Sequence, residues 1–138
     1  MPSLIPKFVK KEITDVWVGE TWKLMLLNNS HIPNAGTQQF VDDVSANEIA
    51  ASGPYTAGGV AIEGKASVAD GYNYYLDATD KVIGPRATLN YRYGILFQDT
   101  GNPATSKIRA QIDFVDDQIV GDGTSTIKWN TLGTIYLT

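Results

Sequence analysis

The sequence predicts a mainly β protein: an antiparallel β-sandwich or jelly roll with one short helix and an extended amino-terminal arm. Two observations predict this class. Short runs of alternating apolar and polar residues recur along the chain, separated by turns rich in Gly, Asn and Asp. The 138 residues, 43% hydrophobic and 19% charged, suit one domain with its own core. We therefore divide the chain into an arm over residues 1–15 and a single β-sandwich domain over residues 16–138.

The first strand and the helix are predicted in the first third of the chain. Residues 21–27 (TWKLMLL) begin with alternation and end in a continuous apolar run, which is typical of a strand covered on both faces. Residues 36–44 are the best helical candidate. Thr37 can serve as an N-cap, and Phe40 and Val44 fall on one helical face.

The middle of the chain predicts two shorter strands. Residues 60–68 alternate loosely and contain Gly64, where we expect a bulge or a close backbone approach. Residues 72–76 (YNYYL) predict an aromatic strand that follows the turn pair Asp70-Gly71.

The longest strand pattern predicts a hairpin in the second half of the chain. Residues 86–98 and 107–115 both alternate, and the turn residues 99–103 connect them. After a Gly-Asp-Gly turn, residues 125–129 and 133–137 predict a final pair of strands.

Charge is distributed unevenly along the chain. There are 11 Lys and Arg against 15 Asp and Glu, which gives a net charge of -4 and a pI near 4.8. Such an acidic chain is a poor candidate for binding nucleic acid, because phosphate contacts need Lys and Arg. Residues 1–11 instead hold three lysines and no acid.

The arm combines this positive charge with apolar side chains. We predict that it docks on an acidic partner protein, and a frayed, solvated terminus is the alternative. The predicted docking residues are Leu4, Ile5, Lys7, Phe8, Val9, Lys10 and Lys11.

The sequence predicts no membrane span and no leader. No stretch is long and apolar enough for a membrane helix. Pro2 and Pro6 interrupt the amino terminus, which lacks the apolar core of a signal peptide. We therefore expect a protein that is made and first folded in a cytoplasm and binds no membrane.

The sequence contains no recognisable catalytic or metal-binding arrangement. It has no Cys and a single His, His31, which excludes thiolate sites and two-histidine sites. The pair Asp116-Asp117 precedes a Gly-Asp-Gly segment but lacks the spacing of a calcium loop, so we interpret it as a solvated turn. The pair Asp42-Asp43 is not recognisable as a glycosidase pair, because that mechanism needs two carboxyls that face each other across a substrate. We predict no enzymatic activity, no metal and no cofactor.

The seven Tyr and three Trp allow two interpretations. Aromatic side chains on a β scaffold can stack on sugars. Core packing and subunit contacts explain the same residues with fewer assumptions. We predict that Tyr72 and Tyr74 lie at an interface between subunits.

Several segments resemble small structural proteins of tailed bacteriophages. They are residues 16–23 (VWVGETWK), 40–48 (FVDDVSANE), 55–59 (YTAGG), 91–101 (YRYGILFQDTG) and 127–130 (IKWN). The resemblance covers the chain from about Val16 onward. It implies a non-enzymatic virion component, assembled in the host cytoplasm, and it brings no catalytic residues.

The resemblance leaves the place in the particle open. The first hypothesis is a capsid decoration or cement protein, a homotrimer that binds the major capsid protein on the outer head surface and stabilises the capsid. The arm would then lie along a neighbouring capsid subunit. The second is a host-glycan-binding module of a head fibre or tail tip, and the third is a neck or tail-tube component. The small size and the lack of a fibrous or coiled-coil repeat favour the first.

Overall fold

A computed structural model of the chain describes residues 4–129 and the backbone of residues 135–137. Within these ranges it contains one α-helix and seven strands, which confirms the prediction of a mainly β protein. The elements are α1 (Lys7–Val18), β1 (Trp22–Leu27), β2 (Val60–Ala61), β3 (Ala66–Asp70), β4 (Asn73–Asp77), β5 (Lys81–Gln98), β6 (Ile108–Ile127) and β7 (Ile135–Leu137), with short 3-10 helices at Val41–Asp43 and Ser45–Asn47. No helix among the described residues is long and apolar enough to cross a membrane.

The strands form two antiparallel sheets, in the orders β2-β1-β5-β6 and β3-β4-β7. The hairpin of β5 and β6 was predicted, and it is longer than the alternating segments indicated. Its register runs from Lys81 opposite Ile127 to Phe97 opposite Ile108, with several bulges. Residues 121–123, expected to be a turn between strands, lie inside β6 at one of these irregularities.

Strand β1 is covered on both faces, as its continuous apolar run predicted. Leu24 and Leu26 belong to one buried cluster, and Met25 and Leu27 belong to a second cluster. This division follows from the alternation of side chains along a strand. Leu76 of β4 belongs to the first cluster, so the two sheets share a core. The finer assignment to a sandwich or jelly roll stays a prediction.

The prediction of an extended arm is corrected by α1, which begins at Lys7. Pro6 stands at the N-cap position with an extended ψ of 147°. A proline at the start of a helix lacks only an N–H that would have no partner there, so it favours a helix start as readily as an extended segment. Residues 7–15 of the predicted arm are therefore helical.

The predicted helix over residues 36–44 is wrong. Phe40 forms a β-bridge with Lys107, and only Val41–Asp43 makes a single 3-10 turn. The carboxylate of Asp43 accepts the N–H groups of Gln39 and Phe40, each at 3.0 Å. These bonds hold a turn, and they lower the pKa of Asp43.

Two further strand predictions change. Residues 60–68 split into β2 and β3, with Gly64 between them at φ +65°. The predicted final pair does not form as expected, because residues 125–127 belong to β6 and β7 pairs with β4. Residues 130–132, the predicted turn of that pair, and residues 133–134, the predicted start of its second strand, lie outside the described residues.

Candidate protein-interaction surface

Helix α1 packs on β3 and β4 with a polar face. Lys10 is only 8% exposed, and its Nζ donates to Oδ1 of Asn73 at 2.7 Å and to the carbonyl of Tyr72 at 3.4 Å. Thr14 is fully buried, and its hydroxyl lies 2.5 Å from Oγ of Ser67. Hydrogen bonds therefore fix the centre of the helix to the sheet.

The opposite side of α1 exposes apolar side chains. The exposed fraction is 91% for Leu4, 68% for Phe8 and 62% for Val16, and Ile5 and Val9 are exposed as well. Positions 8, 9 and 16 fall on one side of a helix of 3.6 residues per turn, with the exposed Glu12 between them, and Leu4 and Ile5 precede the helix. We call the five exposed apolar residues the α1 outer face. A surface helix normally turns its apolar side inward, and α1 does so at its carboxyl end, where Trp17 and Val18 pack against the core.

The lysines of this segment have different environments. Lys10 is turned into the protein, and Lys11 pairs with Asp15 at 2.6 Å, which raises the pKa of Lys11. Nζ of Lys7 lies 5.6 Å from the ring centroid of Tyr74, and it has no carboxylate at ion-pair distance among the described residues. Of the three, Lys7 is the one left to attract an acidic partner, so docking at this face depends mainly on apolar contact.

The two tyrosines predicted at an interface lie beside α1. Tyr72 is 85% exposed at the turn before β4, and its carbonyl receives the bond from Lys10. Tyr74 is half-buried beneath Lys7. Tyr72 thus stands next to the helix, whereas the ring of Tyr74 already has a contact within the chain. Their role at a subunit interface stays a prediction.

Sequence analysis missed Val16, because it ended the arm at residue 15. A helical projection from Pro6 would have placed Val16 two turns beyond Val9 and on the same side of the helix. The helical spacing of Val9 and Val16 was present in the sequence. Val16 was left out because the arm was assumed to be extended.

A second uncovered surface is an open groove of about 490 Å³ between residues 48–50 and the β5–β6 hairpin. Its apolar lining comes from Ile49, Leu89, Ile119 and Val120. Ile119 is 75% exposed. We call these four residues and the space between them the β6 groove.

Acidic residues flank the β6 groove along β6. Asp116 and Asp117 precede Ile119 in a bulge, and Asp122 follows the groove. Arg92 pairs with Asp113 and also interacts electrostatically with Asp116, and Asp117 accepts a hydrogen bond from Nδ2 of Asn29 at 3.1 Å. The three aspartates neighbour the groove residues in sequence, and the polar part of the groove lining comes from Asn28, Glu48, Thr88 and Asn90.

A smaller cavity of about 270 Å³ lies over Met25 and Phe97. Glu48 at its edge accepts the hydroxyl of Tyr55 at 2.7 Å and the N–H of Gly58 at 2.9 Å. Burial raises the pKa of Tyr55, which keeps this hydroxyl a donor. The Glu48 carboxylate therefore binds two groups of its own chain. This gives a structural role to the most polar residue in the lining of the cavity.

The residues considered for chemistry are dispersed. His31 is buried in a loop, with Nε2 at 2.9 Å from Oε1 of Gln111. Asp42-Asp43 lies in the 3-10 turn, and Asp116-Asp117 lies in the β6 bulge and not in a hairpin turn. No group of three His, Cys, Asp or Glu side chains in the described part of the chain is placed to hold a metal.

No family model, curated protein or solved structure matches the chain. The function must therefore be argued from the chain's own residues and surfaces.

Proposed function

We propose that this chain is a non-enzymatic structural protein of a tailed-phage particle. Within that class we propose a capsid decoration or cement protein, a homotrimer that binds the major capsid protein on the outer head surface and stabilises it. The observation that carries the proposal is the orientation of α1, which buries Lys10 and Thr14 and leaves Phe8 and Val16 exposed, with Leu4 exposed just before the helix.

This orientation favours a protein that works in an assembly. Full burial of one large apolar side chain contributes about 1.5–3 kcal/mol. The α1 outer face lacks this stabilisation while it faces water. A neighbouring subunit that covers the face would supply it. Exposed large apolar side chains grouped along one segment are typical of protein–protein contacts. In a particle with many symmetric copies, weak individual contacts are multiplied.

The buried polar groups also support a structural role. Glu48 holds Tyr55 and Gly58, and Glu20 accepts two donors from the guanidinium of Arg109. These carboxylates stabilise loops and strand ends. Two sheets with a shared core also suit the proposed β-sandwich.

A host-glycan-binding module is the second candidate. The exposed ring of Tyr72 favours it, because sugars stack on accessible aromatic faces. A glycan-array signal that is lost in Tyr72→Ala would favour this candidate over decoration.

Copy number in purified phage particles tests the proposal. Quantitative mass spectrometry of gradient-purified particles is expected to find hundreds of copies of the chain, in a fixed ratio to the major capsid protein. A few copies to a few dozen would indicate a neck, tail or vertex fibre position. Absence of the chain from the particles would contradict the proposal.

A further inference from the structure

We infer that β3 pairs edge to edge with β3 of a second copy of this chain, so that the three-stranded sheets of the two copies join into one. The contact goes beyond the proposed function and does not depend on it. It has two-fold symmetry, so it does not itself close the proposed trimer. In a particle it would join one trimer to the next.

β3 has a strand partner on one side only. The sheet order β3-β4-β7 places it at an edge. The two-residue turn that links Asp70 to Asn73 makes these two residues a hydrogen-bonded pair, and the alternation of an antiparallel ladder then directs the backbone N–H and C=O groups of Ser67 and Ala69 away from β4. Among the described residues, no backbone hydrogen bond from a loop or another strand reaches Ser67 or Ala69. These groups are therefore open to a further strand.

The other sheet edges of the described chain have features that discourage pairing. β2 spans two residues and β7 spans three. β6 is long, but several bulges interrupt its register, the exposed Asp116, Asp117 and Asp122 lie along it, and Phe40 already forms a bridge with Lys107 just before it. β3 pairs with β4 over five residues without a register shift and contains no Pro, Lys or Arg. It is thus the edge that is least protected against another strand.

The sequence of β3 suits pairing with itself. Ser67 and Ala69 place a small residue on each side of Val68. Antiparallel pairing about Val68 brings Ser67 of each copy opposite Ala69 of the other, so the outward backbone groups of both strands meet. The two Asp70 carboxylates fall at opposite ends of the new pair, each opposite Ala66, so no like charges face each other. A second copy therefore offers a matching strand in a register that is the same from either side.

β3 is already held in the extended form that pairing needs. β4 holds one edge of it, and the buried hydroxyl of Thr14 on α1 lies 2.5 Å from Oγ of Ser67. The half-buried side chain of Val68 lies on the sheet face opposite to Ser67, because side chains alternate along a strand. A strand that is fixed in advance loses little conformational entropy when a partner binds.

Charge variants of Val68 test the contact directly. Val68→Lys alone and Val68→Asp alone each place like charges opposite each other at the two-fold axis. By sedimentation velocity over a concentration series, each variant is expected to associate more weakly than the unchanged chain by about tenfold or more. An equal mixture of the two is expected to recover the association, because a lysine of one copy then meets an aspartate of the other. The comparison between mixture and single variants holds whether the chain is otherwise a monomer or a trimer.

Control variants separate this effect from misfolding. Val82→Lys places the same charge at an exposed valine on β5 and is expected to associate like the unchanged chain. Ala69→Pro removes an outward N–H and leaves the ladder with β4 intact, so it is expected to fold and to lose the association. It also replaces the Val68 variants if these do not fold. Circular dichroism checks the fold of each variant.

Two results would overturn the inference. One is an unchanged chain that associates no more strongly than folded Ala69→Pro, and the other is a mixture of the Val68 variants that associates no more strongly than either alone. If the chain is abundant in particles and the mixture recovers nothing, the inference fails and the proposed function stands. If the mixture recovers the association but particles lack the chain, the proposed function fails and the contact stands.

Discussion

Nζ of Lys10 on α1 lies 2.7 Å from Oδ1 of Asn73 on β4, and this hydrogen bond sets which side of the helix faces the sheet. The buried hydroxyl of Thr14 adds a second polar contact one turn later, with Ser67. Because these residues point inward, Phe8 and Val16 point outward. The orientation of α1 thus creates the apolar surface on which the proposed function depends.

Loss of the Lys10 contact is expected to destabilise the protein. Lys10→Met keeps the length of the side chain and removes its donors, leaving Asn73 without one of its bonds. Unfolding in urea is expected to show a loss of about 1–3 kcal/mol. The matched control is Lys11→Met, which removes only the exposed pair with Asp15 and is expected to cost much less. Equal losses would show that Lys10 does not fix the helix.

The hydroxyl of Tyr55 is also expected to contribute to stability, because it too satisfies a buried polar group. It accepts the buried N–H of Leu26 at 3.0 Å and donates to Glu48. Tyr55→Phe leaves that N–H unsatisfied, so we expect a loss of about 1–3 kcal/mol in urea unfolding. Tyr72→Phe alters an exposed ring and is expected to change stability by less than about 0.5 kcal/mol. If Tyr55→Phe leaves the free energy of unfolding unchanged, the hydrogen bonding described for Tyr55 and Glu48 is contradicted.

Two adjacent glycines provide a matched steric comparison. Both have positive φ, +91° at Gly58 and +103° at Gly59. A Cβ on Gly59 would lie 2.6 Å from the carbonyl oxygen of Leu24, whereas one on Gly58 meets nothing within 4 Å. We therefore expect Gly59→Ala to be less stable than Gly58→Ala by about 1–3 kcal/mol in thermal or urea unfolding. If Gly58→Ala is instead the less stable variant, the loop does not approach β1 as described.

Asp43 is expected to give stability that depends on pH. Its pKa is lowered by the N–H groups of Phe40 and Gln39, so the folded state favours the charged carboxylate. Its contribution is present above its usual pKa near 3.8 and is lost as the pH falls through the lowered folded value. Asp43→Ala should therefore unfold at lower urea than the unchanged chain between pH 5 and 8, and the gap should narrow below about pH 4.

Asp122→Asn serves as the control for this pH experiment. The Asp122 carboxylate has no hydrogen bond or ion pair among the described residues, so Asp122→Asn shows what the loss of a carboxylate without such bonds does to urea unfolding over the same pH range. A gap for Asp43→Ala that persists unchanged at low pH would contradict the proposed role of the carboxylate.

The fold class could be predicted because local patterns and tertiary packing agree in most strands. The apolar run of β1 signalled cover on both faces, and the two alternating segments signalled the β5–β6 hairpin. The length of that hairpin could not be predicted, because residues 121–123 look like a turn in sequence. They pass inside β6 as a bulge, and the register resumes with Ser125 opposite Ile83.

The helix could not be placed from local signals alone. Residues 36–44 have helical spacing, but the bridge from Phe40 to Lys107 overrides it. Residues 7–18 bury Lys10 and Thr14 before the partly buried Trp17 and Val18, so a pattern that expects an apolar buried side fails in the first two turns of the helix. Of the predicted docking residues, the four apolar ones are exposed, whereas Lys10 is turned inward by its bond to Asn73, 63 residues away, and the docking itself stays a prediction.

The occupancy of phage particles by variants of the α1 outer face tests the central claim most directly. Because α1 begins at Lys7, point substitutions are preferable to deletion of the first residues, which would remove a turn of helix. Particles assembled with Phe8→Asp are compared with particles assembled with Ile32→Asp, by quantitative mass spectrometry against the major capsid protein. The account predicts full occupancy for Ile32→Asp. For Phe8→Asp it predicts an occupancy that is lower than this by a factor of about ten or more. Equal occupancy of the two folded variants would contradict it.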